Sequence, residues 1–490
     1  MEGDMMKLKK IKLEGNLFFG NAEFDFTDAS GNIMDNIVFA GENGCGKTQL
    51  LNLIYDFSTI TLNEDSRNEK QIFTIFLSEE ELMKIDQDID ESNKLEFPVG
   101  EIEIIKDLNV PKNDWQRYKI KYYSKQEDGS IILRDYGFSY YFLHGESTHI
   151  VFMSLFSTVE INYNPKEATT VTSKDIDQTL SSSIKSGDDL ATDIQQLLID
   201  IQDIDANELQ VWVNDHPGDV PPHNIISKRI SRFKKAFECV FDNLNFSRIV
   251  TKNGKKVAYF KKDGYDVDIS SLSSGEKQIV FRGTFLLSNQ QSAKGSIVLV
   301  DEPEISLHPT WQTKIFDYYR NLFIETTGVQ TSQLFYATHS QYVLRSALEN
   351  RNNTAIVLLN HVGTTVEIKK ITAPLVLPTI TSAELNYVAF NIVSNDYHIE
   401  LYGYLQNKIA ISRGKSVCSV KECDTYITQQ TDYDTTKHSK SSSHTVGQRT
   451  THYDTLCTYI RNAIDHPNPN HSFTPQELRD SIELLIKLCH

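Results

Sequence analysis

Between residues 7 and 26 apolar and polar positions alternate, with Ile11 and Leu13 and then Phe24 and Phe26 on the apolar side, and Gly15, Gly20 and Gly31 punctuate the stretch. Alternation with a period of two, broken by glycines, predicts short antiparallel strands. Ile37-Val38-Phe39-Ala40 is continuously apolar and runs straight into glycines, which predicts a buried strand followed by a turn, and a helix follows at 49–55. From 63 to 265 the text changes. β-rich pieces fall at 73–76, 102–105, 118–123 and 150–163, then helices at 188–204 and 225–241, and the stretch reads as an insertion within one domain. Strand, loop and helix alternate again from 269 to about 372, as a doubly wound α/β sheet requires.

Pro374 and Pro378 mark a boundary, beyond which 374–490 reads as a helical carboxy-terminal region. Thr381-Ser382-Ala383-Glu384 spells a capping box, with Leu385, Val388, Ala389 and Ile392 on one helical face. Thr474-Pro475-Gln476-Glu477 spells a second, followed by Leu478, Ile482, Leu485 and Cys489 in register. Between them 425–451 is rich in Thr, Ser, His and Asp and predicts a long exposed loop. The resulting organisation is a core in two segments (1–62 and 266–373), an insertion (63–265) and the carboxy-terminal region.

The chain has 490 residues with Lys+Arg 49 against Asp+Glu 66, a formal charge of -17. That balance opposes non-specific adhesion to nucleic acid, so any such contact must use a local basic patch. The six cysteines, Cys45, Cys239, Cys418, Cys423, Cys457 and Cys489, include no pair at the C-x-x-C spacing of zinc sites and predict reduced thiols. The amino-terminal residues are charged, and no run reaches the roughly 18 apolar residues of a membrane span. A cytoplasmic protein with no membrane partner is expected.

Gly41-Glu42-Asn43-Gly44-Cys45-Gly46-Lys47-Thr48 matches G-x-x-x-x-G-K-[ST] between a strand and a helix. Gly41, Asn43, Gly44, Cys45 and Gly46 are placed to curl backbone N–H groups around phosphates, Lys47 to reach the β- and γ-oxygens, and the Thr48 hydroxyl to hold Mg2+. The apolar run 296–300 ends in Asp301 and Glu302. Two adjacent carboxylates beyond a buried strand call for a cation. Asp301 is the second metal-side residue, and Glu302 is placed to polarise an attacking water. His339, at the tip of the apolar run 334–337, is placed to contact a γ-phosphate and sense its loss. ATP and Mg2+ are therefore the expected ligands, with Lys47, Glu302 and His339 as catalytic candidates.

Leu272-Ser273-Ser274-Gly275-Glu276-Lys277-Gln278, before a predicted helix at 277–287, resembles the ABC signature, with Ser274 where that family has glycine. The resemblance implies that Ser273, Ser274 and Gly275 cap a γ-phosphate bound by the opposite subunit, so that a homodimer, or a higher oligomer built on it, completes each site. Together with the 304–309 segment and Thr338-His339-Ser340, these motifs are similar to cytosolic ABC ATPases related to the SMC and OLD families. Their wording resembles the ATPase components of bacterial anti-phage systems, among them the retron-associated Septu ATPase and the PARIS ATPase. What this implies is an α/β, ABC-type P-loop ATPase fold and a sensor that holds a partner nuclease effector until a phage-derived trigger arrives. A glutamine equivalent to that family's Q-loop is not identifiable in the sequence.

The segment 459–467 is similar to the R-x4-6-H motif of HEPN ribonucleases, with Arg461, Asn462 and His466 as its candidate residues. Asn462 and His466 lie four apart and share a helical face. An ATP-gated ribonuclease using Arg461 and His466 is the alternative function, and the competing reading is that these residues simply finish a helix before Pro467. A DNA-repair or chromosome-structuring ATPase ranks below both, because the insertion lacks sustained heptads.

Overall fold

The computed structural model describes residues 6–59, 64–78, 98–125, 128, 131–137, 152–159, 183–187, 189–222, 225–226, 240–252, 255–290, 294–325, 327–363, 365–446, 449–467 and 471–490. In chain order the first elements are β1 (Lys7–Asn16), β2 (Gly20–Asp25), β3 (Asn36–Ala40), α1 (Lys47–Thr59), β4 (Lys70–Phe76), β5 (Pro98–Asp107), β6 (Tyr118–Lys125), β7 (Ile131–Gly137), β8 (Ser154–Ser157) and β9 (Ile184–Lys185). There follow α2 (Leu190–Asp215), β10 (Leu244–Lys252), β11 (Lys255–Lys262), β12 (Tyr265–Asp268), α3 (Ser274–Ser288), β13 (Ile297–Asp301), α4 (Pro309–Asn321), β14 (Gln333–Thr338), α5 (Gln341–Glu349), β15 (Thr354–Val362) and β16 (Thr365–Lys370).

A seven-stranded sheet in the order β16-β15-β3-β14-β13-β8-β9 forms the α/β core. All its pairings are parallel except that of β15 with β16. Every residue of β3, β13 and β14 is buried. This is why they read as unbroken apolar runs: strands covered on both faces have no polar side. β1 and β2 pair antiparallel, as the alternation predicts. The second sheet runs β2-β1-β4-β5-β6-β7.

The stretch 63–265, expected as an insertion, contributes strands to the sheets of the first unit. β4 pairs directly with β1, and β8 lies beside β13 in the parallel sheet, so β4 to β9 are structural members of the two sheets, while β10, β11 and β12 form a three-stranded sheet of their own. Phe73 of β4 stacks on Phe57 of α1 with ring centroids 3.6 Å apart. Pairings between strands so distant in sequence leave no local signal. The described part of the strand expected at 150–163 is β8 with its flanks. Residues 227–239 of the helix expected at 225–241 lie outside the described residues, while the helix expected at 188–204 is the longer α2.

Met1–Lys370 forms one compact unit and Ile371–His490 another. The second contains α6 (Ser382–Phe390), α7 (Asn395–Ser412), α8 (Val420–Thr428), α9 (Thr435–His438), β17 (Ser439–Val446), β18 (Arg449–Thr455), α10 (Leu456–Asp465) and α11 (Pro475–Cys489). Its core joins Leu401, Leu405 and Ile409 of α7 to Ile460 of α10 and Ile482 and Leu485 of α11. The Thr474–Glu477 box is reciprocal: Glu477 N–H donates to Thr474 Oγ1 at 3.1 Å and Thr474 N–H to Glu477 Oε2 at 2.7 Å. At Thr381 only half the box exists. Its hydroxyl accepts from Glu384 N–H, but the Glu384 carboxylate accepts instead from Val376 and Leu377 N–H. Asn391, left-handed at φ 54°, ends α6 before Ile392, which is exposed.

The loop expected at 425–451 is replaced by α9 and an antiparallel β17–β18 hairpin. β-branched threonines favour the extended backbone, and a strand with little burial shows no apolar alternation to betray it.

Candidate nucleotide site

The loop between β3 and α1 has a conformation that its glycines permit. Gly41 and Gly46 have φ of 148° and 93°, and a Cβ on Gly41 would lie 2.0 Å from the Leu359 carbonyl oxygen. A Cβ on Gly46 would lie 2.3 Å from Phe18 Cε1. Both positions therefore exclude larger residues on steric and conformational grounds. Asn43, Gly44 and Thr48 are exposed, whereas Cys45 and Lys47 are buried. Lys47 Nζ donates to the carbonyls of Gly41 at 2.9 Å and Glu42 at 2.8 Å, and lies 3.4 Å from Cys45 Sγ. Burial pushes its pKa below the usual lysine value.

Parallel pairing brings the ends of β3, β14 and β13 to one edge, where Asp301 stands opposite Ala337 and Thr338 opposite Ala40. There Thr48 Oγ1 donates to Asp301 Oδ1 at 3.0 Å, which unites the two metal-side candidates across 253 residues of sequence. A hydroxyl and a carboxylate side by side are hard oxygen donors that fit Mg2+, which ordinarily takes few protein ligands and shares the rest with phosphates and water. Among the described residues no group of three or more His, Cys, Asp or Glu is arranged to hold a metal. Burial raises the Asp301 pKa, against the opposing effect of the Thr48 hydroxyl.

Glu302 has φ of 40°, a left-handed backbone that is uncommon outside glycine. Its carboxylate lies 3.5 Å from His339 Nε2, and that partner holds its pKa below the usual glutamate value. The carboxylate is thus ionised at neutral pH and available to take a proton from water.

Glu304 was not among the candidates, although it lies in the 304–309 segment. Its buried Oε1 accepts from Thr338 Oγ1 and from the His339 backbone N–H, both at 2.7 Å, so it fixes the position of His339. Its burial raises its pKa. Ser340 caps α5 and also donates to Gln312 Oε1 at 2.7 Å.

Ser273 is the N-cap of α3, in a reciprocal capping box with Glu276. Lys262 Nζ lies 2.7 Å from Glu276 Oε1 and anchors the box to β11. Ser273 and Ser274 are exposed, and Gly275 is buried where a Cβ would meet the Ser306 carbonyl oxygen at 2.6 Å. The glycine is required by this close approach, and the serine at 274 faces out. The capping box occupies the N–H groups of Ser273 and Glu276, while the positive end of the helix dipole at this start suits an anion.

Arg282, on α3, was also missed. It is fully buried and donates to Ser157 Oγ and to the main-chain carbonyls of Ser157, Asp301 and Glu302. The signal was present in the sequence: an arginine directly after Ile279-Val280-Phe281 is a charge in an apolar helix and demands partners. β8 ends beside β13 at Ser157, whose hydroxyl accepts from Arg282 Nε at 2.8 Å.

Residues 159–345 match the family described as "AAA domain, putative AbiEii toxin, Type IV TA system". That span begins after the glycine-rich loop and contains Ser273, Asp301, Glu302 and His339. Among solved structures the chain is similar to the Smc head bound to the C-winged-helix domain of ScpA, at 14% identity and a TM-score of 0.39, over 74% of this chain and 98% of that one. It is similar to an Smc head with an extended coiled coil, bound to the C-terminal domain of ScpA derived from Pyrococcus furiosus, at 13% and 0.37, over 75% and 96%. It is also similar to the SMC head domain from Thermotoga maritima, at 13% and 0.33, over 74% and 99%. The family match and the geometry of the glycine-rich loop support a P-loop ATPase domain with an α/β fold in the first unit.

In the second unit Asn462 and His466 line a cleft of about 460 Å3 with His444, Tyr459, Asp465 and His471. The rings of His444 and His466 stack at 5.1 Å. Arg461 is not among the lining residues. Its guanidinium lies 2.6 Å from Asp465 Oδ2 and donates to Asn462 Oδ1 at 2.9 Å. No described helix is long and apolar enough to cross a membrane.

Proposed function

We propose that the chain hydrolyses ATP at a site completed by a second copy of itself, and that in the cytoplasm it serves as the sensing and regulating subunit of a partner nuclease in anti-phage defence. The observation that carries the hydrolytic reading is the convergence at one sheet edge of Thr48 on Asp301 and of Glu302 on His339. Lys47 would bind the β- and γ-phosphates, and Thr48 and Asp301 would hold Mg2+, which when bound neutralises phosphate charge. Glu302 would accept a proton as water oxygen attacks the γ-phosphorus and the bond to the β,γ-bridging oxygen breaks. His339, fixed by Glu304, would report loss of the γ-phosphate. The defence reading rests on the resemblance of the motifs at 272–278 and 301–309 to the ATPase components of anti-phage systems.

The test uses purified protein: Lys47→Ala should abolish ATP binding, while Glu302→Gln should keep binding, lower hydrolysis at least about 100-fold and accumulate as an ATP-bound dimer. Wild-type turnover by Glu302→Gln would refute the assignment.

The cleft holding Asn462, His466 and His444 favours a second reading, a ribonuclease within the chain. Against it, Arg461 is paired with Asp465, which lessens the charge it offers a phosphate. Metal-independent RNA cleavage by the purified chain with ATP, lost in His466→Ala while ATP hydrolysis persists, would establish that reading over the sensor.

A further inference from the structure

At the edge where Asp301 and Glu302 sit, the parallel sheet runs out unevenly. β8 stops at Ser157, opposite Val300, one position before Asp301. On the other side β14 continues, and Ala337 accepts from the Glu302 N–H at 2.9 Å. The carbonyl of the same peptide, that of Asp301, points the opposite way, towards the side where β8 has ended. A buried carbonyl there needs a donor. Arg282 supplies it: Nη2 donates to the Asp301 carbonyl at 2.6 Å and to the Ser157 carbonyl at 3.0 Å, Nη1 to the Glu302 carbonyl at 3.1 Å, and Nε to Ser157 Oγ at 2.8 Å.

One guanidinium thus replaces the missing length of β8 and clamps the backbone on both sides of Glu302, the residue held at φ 40°. A left-handed non-glycine residue persists where its surroundings over-determine it. Arg282 also stands on the helix that begins at Ser273, so the clamp belongs to the same rigid element as the signature segment. We infer that Arg282 is a positioning residue that couples the signature helix to the aim of the Glu302 carboxylate, so that an event at Ser273 and Ser274 is passed to the hydrolytic carboxylate through α3. This rests on the hydrolase reading proposed above.

The planar fork reaches acceptors on two strands at once, which an ammonium cannot do. The experiment compares wild type with Arg282→Met, Arg282→Lys and Ser157→Ala, measuring Kd for a fluorescent ATP analogue, kcat for phosphate release and the melting temperature. Arg282→Met should lower kcat roughly 30-fold or more while Kd stays within about threefold of wild type. Arg282→Lys should recover part of kcat, and Ser157→Ala should lose only a few-fold. Wild-type kcat in folded Arg282→Met, or Kd weakened as much as kcat is lowered in both arginine variants, overturns the inference. If Arg282→Met does not fold, Arg282→Lys decides alone: unchanged kcat overturns the inference, and reduced kcat with unchanged Kd sustains it. Absence of turnover in the wild type defeats the hydrolase reading itself, a result separate from the variants.

Discussion

Glu304 shows how much of the proposed switch hangs on one side chain, since its Oε1 takes the hydrogen bonds of both Thr338 and the His339 amide. Glu304→Ala leaves two buried donors without an acceptor, so a loss of about 1–3 kcal/mol in stability and a fall in kcat are expected. Glu304→Gln keeps the acceptor and should stay near wild type; chemical denaturation and phosphate-release assays on both variants check this. His398 makes a different prediction. It is buried in the second unit, with Nε2 2.9 Å from Ser481 Oγ, and burial pushes its pKa down to about 3. A histidine whose folded value lies below its unfolded value favours the folded state while neutral. Its contribution is complete above pH ~6.5 and is lost as pH falls towards 3, by about 2 kcal/mol at pH 5. Melting of the full chain should therefore fall on acidification from pH 7 to 5, and the slope should flatten in His398→Gln. An equal slope in the two proteins would refute this.

At the scale of elements, the buried carboxylate of Asp424 joins α8 to the junction of β18 and α10. It accepts from Thr455 N–H at 3.1 Å, Thr455 Oγ1 at 2.8 Å and Asp454 N–H at 3.1 Å, and Lys421 Nζ lies 3.1 Å away. Thr455 is the N-cap of α10. Asp424→Ala strips three donors of their acceptor and should destabilise the chain by about 3 kcal/mol, whereas Thr474→Ala, which removes a single exposed cap of α11, should cost about 1 kcal/mol. Denaturant titration orders the two, and a smaller loss for Asp424→Ala would contradict this account. The same region shows why 425–451 read as a loop: its order comes from hairpin pairing and from Lys440, whose Nζ lies 2.6 Å from Glu477 on α11, not from an apolar face.

For the whole molecule, composite sites predict complementation. A Ser273→Arg chain keeps its own glycine-rich loop but spoils its partner's site, and a Lys47→Ala chain does the reverse. Each variant alone should be inactive, and mixing them should restore hydrolysis, because a mixed dimer holds one intact loop facing one intact signature. Inactivity of confirmed mixed dimers would refute composite sites, or show that both sites must fire together. The exposed Ser273 and Ser274 at the start of α3 leave that surface available to a second copy.

Local chemistry by itself specified the glycine-rich loop, the strand-end carboxylates, the buried strands β3, β13 and β14, and the cap at Thr474. Each depends on residues adjacent in sequence, where backbone torsion, helix capping and unbroken apolarity leave direct marks. Tertiary structure alone decided that Thr48 meets Asp301 and that Glu302 meets His339. It also set β4 against β1 and β8 against β13, and made Arg282 the donor where β8 ends. These are pairings across tens to hundreds of residues, and sequence spacing carries no record of which strand lies beside which. The parallel sheet brings the strand ends to one edge, and desolvation there turns scattered polar side chains into obligatory partners.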